Sequence, residues 1–489
     1  MSTSYKLYID GKWINSESEE TFPSLNPANP NDVVGRFQLG NEDDVNKAVD
    51  AAERAFKKWS ETPAPKRGQI LFRAAQILRE RKEELARLLT REMGKVIAEA
   101  RGDVQEAIDM TEYMAGEGRR MFGYTTPSEL RDKFCMTIRM PIGICGLITP
   151  WNFPIAIPSW KIMPALICGD TVVFKPSSDT PLCATKLVEI LEKAGLPKGV
   201  LNLVTGPGEA VGMTIVRHEK VRAISFTGHK DTGKTILKEA GLKKVGLELG
   251  GKNGIIVMDD ADLNLALDGM IWSGYGTTGQ RCTAASRVIV HEKIKEKFEM
   301  MLVSRIKKLR LGNGLNPKTD VGPLINKAAQ EKSKSYTEIG LEEGARLLVG
   351  GKIPRMNGFF FEPTLFIDCS MDMRITQEEI FGPIVSLIPV KDFDEAIEVM
   401  NSVEYGLSSS IYTKDMRKAF LAIQRIEAGI TYINSSTIGA EVHLPFGGVK
   451  HTGIGTREAG ILGIDEFSEV KTVYVDYSGK LQKAQIDIE

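Results

Sequence analysis

Between residues 42 and 121 apolar side chains return every three or four positions among charges: Val45, Ala48, Ala51, Ala52 and Phe56, then Ile70, Leu71, Ala74, Ile77 and Leu78. That period predicts amphipathic helices laid over a core. From residue 142 the pattern becomes short unbroken apolar runs at 142–148, 171–174, 200–204, 221–226 and 253–258. Helix-like segments separate them, with Gly or Pro at the junctions. Such alternation predicts a parallel sheet with crossover helices. A second series follows, with strands predicted at 285–290, 384–390, 408–413 and 429–433 and helices at 292–309, 393–402 and 415–427. The expected fold class is therefore α/β with two such domains. Residues 123–141 and the tail after 466 read as β-rich and peripheral to both.

Length agrees, since 489 residues exceed what one core serves. The 63 basic and 64 acidic residues nearly cancel and form no long run of one sign. Electrostatic capture of nucleic acid or an anionic membrane is thereby disfavoured, and a small-molecule partner fits better. Six cysteines lie at 135, 145, 168, 183, 282 and 369 without a CxxC pair, as expected of reduced thiols. The start of the chain has no apolar signal core, and no stretch reaches the roughly 20 apolar residues of a membrane span. The expected location is the cytoplasm, and no metal site is expected.

The informative chemistry is a thiol and a carboxylate in glycine-bordered turns. Cys282 follows the polar, glycine-dense run Gly274-Tyr275-Gly276-Thr277-Thr278-Gly279-Gln280-Arg281, where a substrate can approach the backbone. Arg281 and a helix end are expected to lower the thiol pKa below its free value of about 8.5. Glu248, in Leu247-Glu248-Leu249-Gly250-Gly251, has an apolar collar that would raise its pKa and suit a general base. Asn152, in Thr149-Pro150-Trp151-Asn152-Phe153-Pro154, offers an uncharged donor for a developing oxyanion. Lys175 ends a predicted strand, where open α/β sheets bind ligands. A competing reading comes from Gly228-His229-Lys230-Asp231-Thr232-Gly233-Lys234-Thr235, which satisfies the GxxxxGK[ST] phosphate loop. The apolar run ending in Asp259-Asp260 would serve as its magnesium strand, making the chain an ATPase. Only aldehyde oxidation through a thioester also uses Cys282, Glu248 and Asn152.

With these residues in place, the chain resembles the NAD(P)-dependent aldehyde dehydrogenase superfamily, from Leu7-Tyr8-Ile9-Asp10-Gly11-Lys12-Trp13 to Pro445-Phe446-Gly447-Gly448-Val449-Lys450. The resemblance implies two Rossmann-like domains, with 1–122 and 142–250 binding NAD(P) and 251–450 catalytic. A small β-rich oligomerisation domain would comprise 123–141 and 466–489. It makes Cys282 the nucleophile, Glu248 the general base, and Asn152 with the Cys282 N–H the oxyanion hole. Lys175 resembles the adenosine-ribose ligand, Gly228 and Gly233 bracket the pyrophosphate-binding helix start, and Glu379 with Phe381 resembles the nicotinamide-ribose contacts. Thr149, Trp151, Ser178, Gly208, Phe226 and His229 complete the implied cofactor set. Ser178 stands where NAD-preferring members commonly carry glutamate, so NADP is expected to be preferred and NAD possible. His229 replaces a serine common in relatives; its imidazole either meets phosphate or points away. Phe153, Trp160, Arg281, Thr283 and Phe446 should border the aldehyde tunnel. Arg281 could pair with the carboxylate of a semialdehyde acid such as succinic or 2-oxoglutaric semialdehyde. Members that transfer the acyl group to coenzyme A generally lack the glutamate at 248, so hydrolysis is favoured. A homotetramer is expected, with a homodimer second.

Overall fold

The computed structural model describes residues 3–486. Residues 1, 2 and 487–489, part of the expected cofactor-binding and oligomerisation segments, lie outside the described residues.

The first run of apolar segments forms an eight-stranded sheet. Across it the order is Gly453–Ile454, Lys244–Glu248, Val221–Thr227, Ile144–Ile148, Thr171–Lys175, Leu201–Leu203, Leu7–Ile9 and Lys12–Ile14. The five central strands are parallel and every residue of Ile144–Ile148 and Thr171–Lys175 is buried, which explains their unbroken apolar character. Register then decides where function can sit. Ile148 pairs with Lys175 and with Phe226, and Thr227 pairs with Glu248, so four strands end along one edge. Helices Ala64–Glu80, Ile97–Glu117, Ala156–Cys168 and Pro181–Lys193 bury one side of this sheet, and Glu42–Ser60 helps to bury the other. An Asn41–Asp44 capping box starts that last helix.

The second run forms a seven-stranded sheet in the order Arg346–Val349, Thr364–Ile367, Ile384–Val390, Ala285–His291, Asn253–Val257, Ser408–Tyr412 and Ile430–Ile433. All but Arg346–Val349 are parallel. The turn after Glu248 leads directly into Asn253–Val257, and Asn253 is paired with Ala285. The end of one sheet therefore faces the start of the other, with Glu248 and Cys282 near the seam.

A third sheet joins Ser468–Asp476 to Lys133–Pro141 in antiparallel register from Ser468–Pro141 to Asp476–Lys133, with Thr125–Pro127 beyond. Phe134, Val470 and Tyr474 on it remain exposed.

Some elements differ from expectation. The strand predicted from 142 begins at Ile144 because Gly143, at φ 133°, turns the chain out of Lys133–Pro141. The helix predicted at 292–309 is a 3-10 turn, Glu292–Ile294, followed by helix Lys295–Ile306. Helix Lys327–Glu342 and the sheet of Ser4–Tyr5, Asn29–Gln38 and Thr21–Asn26 had no counterpart in the sequence reading. No helix among the described residues is long and apolar enough to cross a membrane.

Candidate active site

Cys282 stands at the end of an unusual loop. Thr277, Thr278 and Gly279 are consecutively left-handed, at φ 51°, 59° and 69°. For two β-branched threonines this costs on the order of 1–3 kcal/mol each. The surroundings offset that cost. Both Glu99 oxygens accept the Thr277 N–H at 2.9 Å, and the Thr277 hydroxyl donates to the same carboxylate at 2.9 Å. The Thr278 hydroxyl donates to the Gly322 carbonyl at 3.0 Å. Gln280 accepts the Ile325 N–H at 2.9 Å through Oε1 and donates through Nε2 to the carbonyls of Thr277 and Pro323. Beyond the thiol, Asn253 Nδ2 donates to the Cys282 carbonyl at 2.7 Å. A Cβ on Gly251 would lie 2.5 Å from that carbonyl, which is why the turn after Glu248 must be small there.

Asn152 is buried and donates through Nδ2 to the Gln280 carbonyl at 3.2 Å; its Oδ1 has no partner among the described residues. Its second amide hydrogen is thus available beside Cys282, and both residues line one cleft. Glu248 is buried, and its Oε2 has no hydrogen-bond partner among the described residues. Burial first, then the charge of Glu458, hold its carboxyl well above the usual carboxylate range, against Lys161 and Arg457. Lys161 is itself bonded to Glu458 and, at 2.8 Å, to the Ser225 hydroxyl. The raised Glu248 pKa agrees with the sequence reading, but the thiol does not. Burial, followed by the charges of Glu248 and Glu379, pushes Cys282 up to about 12. The loop presents no helix N-terminus to the sulfur, and Arg281 is turned to Glu99 instead.

The cleft holds about 220 Å³ between the two sheets, and Trp151, Gly228, His229, Glu379 and Phe381 line it. Trp151 and Phe381 meet edge to face at 5.5 Å, Phe381 being itself left-handed at φ 60°. Glu379 accepts the Gly251 N–H at 2.9 Å, and a Cβ on Gly250 would stand 2.5 Å from its carboxylate. His229 caps helix Lys230–Glu239 by accepting the Asp231 N–H at 3.3 Å, so its ring is in the cleft yet engaged with the helix start. Gly233 is needed for packing, since a Cβ would approach Leu249 to 2.6 Å, and Gly228 lies against the Phe226 ring. Lys175 is buried and donates to the Pro176 carbonyl at 2.8 Å; burial lowers its pKa to about 8. Ser178 donates to the Gly206 carbonyl at 3.0 Å. Thr149 is buried beside the strand end, donating its N–H to the Lys175 carbonyl at 3.1 Å. Gly208 opens a turn into free space, where a Cβ would meet nothing within 4 Å.

The expected tunnel residues divide. Trp160 and Phe446 meet edge to face at 5.0 Å, both buried. Phe153 lies between two cations, with Lys95 Nζ at 3.6 Å and the Arg281 guanidinium at 5.2 Å from its ring centroid. Arg281 also lies 4.9 Å from the Trp272 ring, donates to the Thr277 hydroxyl at 2.8 Å and approaches Glu99 at 3.8 Å. The Thr283 carbonyl accepts the Thr437 hydroxyl at 2.7 Å.

The family model described as "Aldehyde dehydrogenase family" matches residues 13–473. This chain belongs to the aldehyde dehydrogenase family. Alpha-ketoglutaric semialdehyde dehydrogenase of Bacillus subtilis is 43% identical over 477 residues, covering 96% of this chain and 98% of that protein. Alpha-ketoglutarate semialdehyde dehydrogenase of Haloferax volcanii is 44% identical over 484 residues, 98% of this chain and 100% of its own. Among solved structures, betaine aldehyde dehydrogenase from Staphylococcus aureus in complex with NAD+ superposes with a TM-score of 0.95 at 38% identity, covering 98% of this chain and 96% of that one.

For this aldehyde dehydrogenase the phosphate-loop reading loses its geometry. Helix Lys230–Glu239 already begins within the supposed loop, and Lys234 and Thr235 lie on its exposed side. The supposed magnesium strand, Asn253–Val257, belongs to the other sheet. Sequence reasoning missed Glu99, Lys332 and the Lys161–Glu458 pair. Lys332 lines the cleft and donates to the Glu379 carbonyl at 2.9 Å. No local pattern marks these residues, because each acts on a segment remote in sequence.

Proposed function

We propose that this chain oxidises an aldehyde to its carboxylic acid with NAD(P)+, NADP+ being preferred, through a thioester on Cys282. The observation that carries this reading is the meeting of three groups at one seam: Cys282 and Asn152 on a shared cleft wall, and Glu248 close enough for its charge to act on the thiol. The cleft suits a dinucleotide, since Thr227 and Asn152 offer it buried oxygens without partners beside the Trp151 and Phe381 rings. Glu379, His229, Lys175 and Ser178 would hold the cofactor, which when bound supplies the hydride acceptor.

In this mechanism the Cys282 thiolate adds to the carbonyl carbon, and the oxyanion is met by Asn152 Nδ2 and the Cys282 N–H, a contribution of a few kcal/mol. After hydride loss the adduct is a thioester. Glu248 takes a proton from water, hydroxide adds to the thioester carbon, and the C–S bond breaks to return the thiolate and release the acid. Coenzyme A as acyl acceptor is the lesser alternative. The absence of a carboxylate at Ser178 supports the NADP preference, because serine lacks the repulsion a glutamate at that position would exert on a 2′-phosphate.

The two semialdehyde dehydrogenase relatives favour an acidic semialdehyde as substrate. Arg281→Ala should raise KM for acidic aldehydes and spare neutral ones; equal loss for both would assign Arg281 to its Glu99 contact alone. By the same reading 1–122 with 142–250 binds cofactor, 251–450 is catalytic, and 123–141 with 466–489 joins a homotetramer in the cytoplasm. An aldehyde panel with both cofactors should yield reduced nicotinamide, with higher kcat/KM for NADP, and Cys282→Ser should abolish it. Turnover surviving that substitution would refute the thioester route.

A further inference from the structure

We propose that Glu99 is a positioning residue for catalysis, a clamp that holds the left-handed Thr277–Thr278 segment and thereby aims Cys282. The inference rests on Cys282 being the nucleophile.

Glu99 sits in the first turn of helix Ile97–Glu117, 178 residues from Thr277, and is 7% exposed. Its carboxylate accepts both polar hydrogens of Thr277 and faces the Arg281 guanidinium, so every hydrogen bond it makes ends on the nucleophile loop. The loop cannot relax elsewhere, because Gly279 is pressed against the Gly382 carbonyl and Gln280 is fixed on three sides. The Gln280 carbonyl is also what holds Asn152. A shift at Thr277 would thus move the nucleophile and the oxyanion donor together. Arg281 is the counter-charge of this clamp, which places its guanidinium between Phe153 and Trp272.

Glutamine keeps the length of the side chain but replaces one acceptor oxygen with a donor and removes the charge opposite Arg281. Glu99→Gln should therefore lower kcat at least tenfold while KM for the cofactor stays within twofold. A readout without turnover is the alkylation of Cys282 by iodoacetamide at neutral pH, followed by mass spectrometry. A relaxed loop lets the half-buried thiol swing out from the cleft wall towards the reagent, so labelling should accelerate at least threefold. Glycine adopts left-handed backbone without strain, so Thr277→Gly combined with Glu99→Gln should recover at least threefold of the lost kcat. A purely structural glutamate would show no such rescue. Unchanged kcat and labelling in Glu99→Gln, or a double variant no better than the single one, would overturn the clamp. Loss of activity in Cys282→Ser measured alongside keeps this outcome separate from failure of the thioester route.

Discussion

At the level of single residues, the resting site is built to hold protons. Both reacting groups have pKa values above their ordinary ones, Cys282 at about 12 and Glu248 displaced upward by burial and Glu458. A carboxyl with a raised pKa is neutral until the pH climbs, so its basic form accumulates on the alkaline side. In the proposed mechanism the rate of thioester hydrolysis should accordingly rise with pH over a range above that of an ordinary carboxylate. Glu458→Gln removes the like charge that disfavours ionised Glu248 and takes from Lys161 its ion-pair partner, leaving the Ser225 hydroxyl. Both changes favour the carboxylate, so the rising limb should move to lower pH. Single-turnover rates across pH test this; a limb that stays put or moves upward contradicts it. The raised Glu248 pKa was legible in its apolar collar, but the state of the thiol was not. The sequence suggested an activated thiol from Arg281 next door, but the charges that matter come from Glu248 and Glu379, and Arg281 faces Glu99 at 3.8 Å.

Among the strands, helices and loops, unbroken apolar runs located the central parallel strands because strands buried on both faces have no polar side to show. The same rule explains the failures. Arg346–Val349 is an edge strand, mostly half-buried and antiparallel, and nothing in its composition separates it from a loop. The loop carrying Cys282 was readable as glycine-rich, yet its left-handed threonines were not, since their stability comes from Glu99 and Gly322. Gly279 tests how tightly the elements meet there. It is left-handed at φ 69°, and a Cβ would collide with the Gly382 carbonyl. Gly279→Ala should destabilise the protein by about 2–4 kcal/mol and depress activity more than stability alone explains. Urea unfolding with parallel kinetics checks this, and a shift below about 0.5 kcal/mol would show that the segment yields.

For the protein as a whole, the small third sheet has exposed apolar residues and little core of its own. Val470 and Tyr474, 60% and 66% exposed, share one face of it, and Phe134, 46% exposed, lies on the other. In the proposed homotetramer the face carrying Val470 and Tyr474 is an association surface. Replacing Val470 and Tyr474 together with lysine should shift light-scattering mass from the assembly to smaller species at equal concentration, while far-ultraviolet circular dichroism stays unchanged. An unaltered mass would locate the contact elsewhere.

The outermost strand of the first sheet, Gly453–Ile454, pairs with Leu247 and Glu248, and the Leu249 N–H donates to the Thr452 carbonyl at 2.6 Å. On the ribosome, the thiol at 282 emerges long before this brace is synthesised. A nascent chain therefore carries its sulfur well ahead of the strand that braces Glu248, and that brace waits until the chain has been made past residue 454.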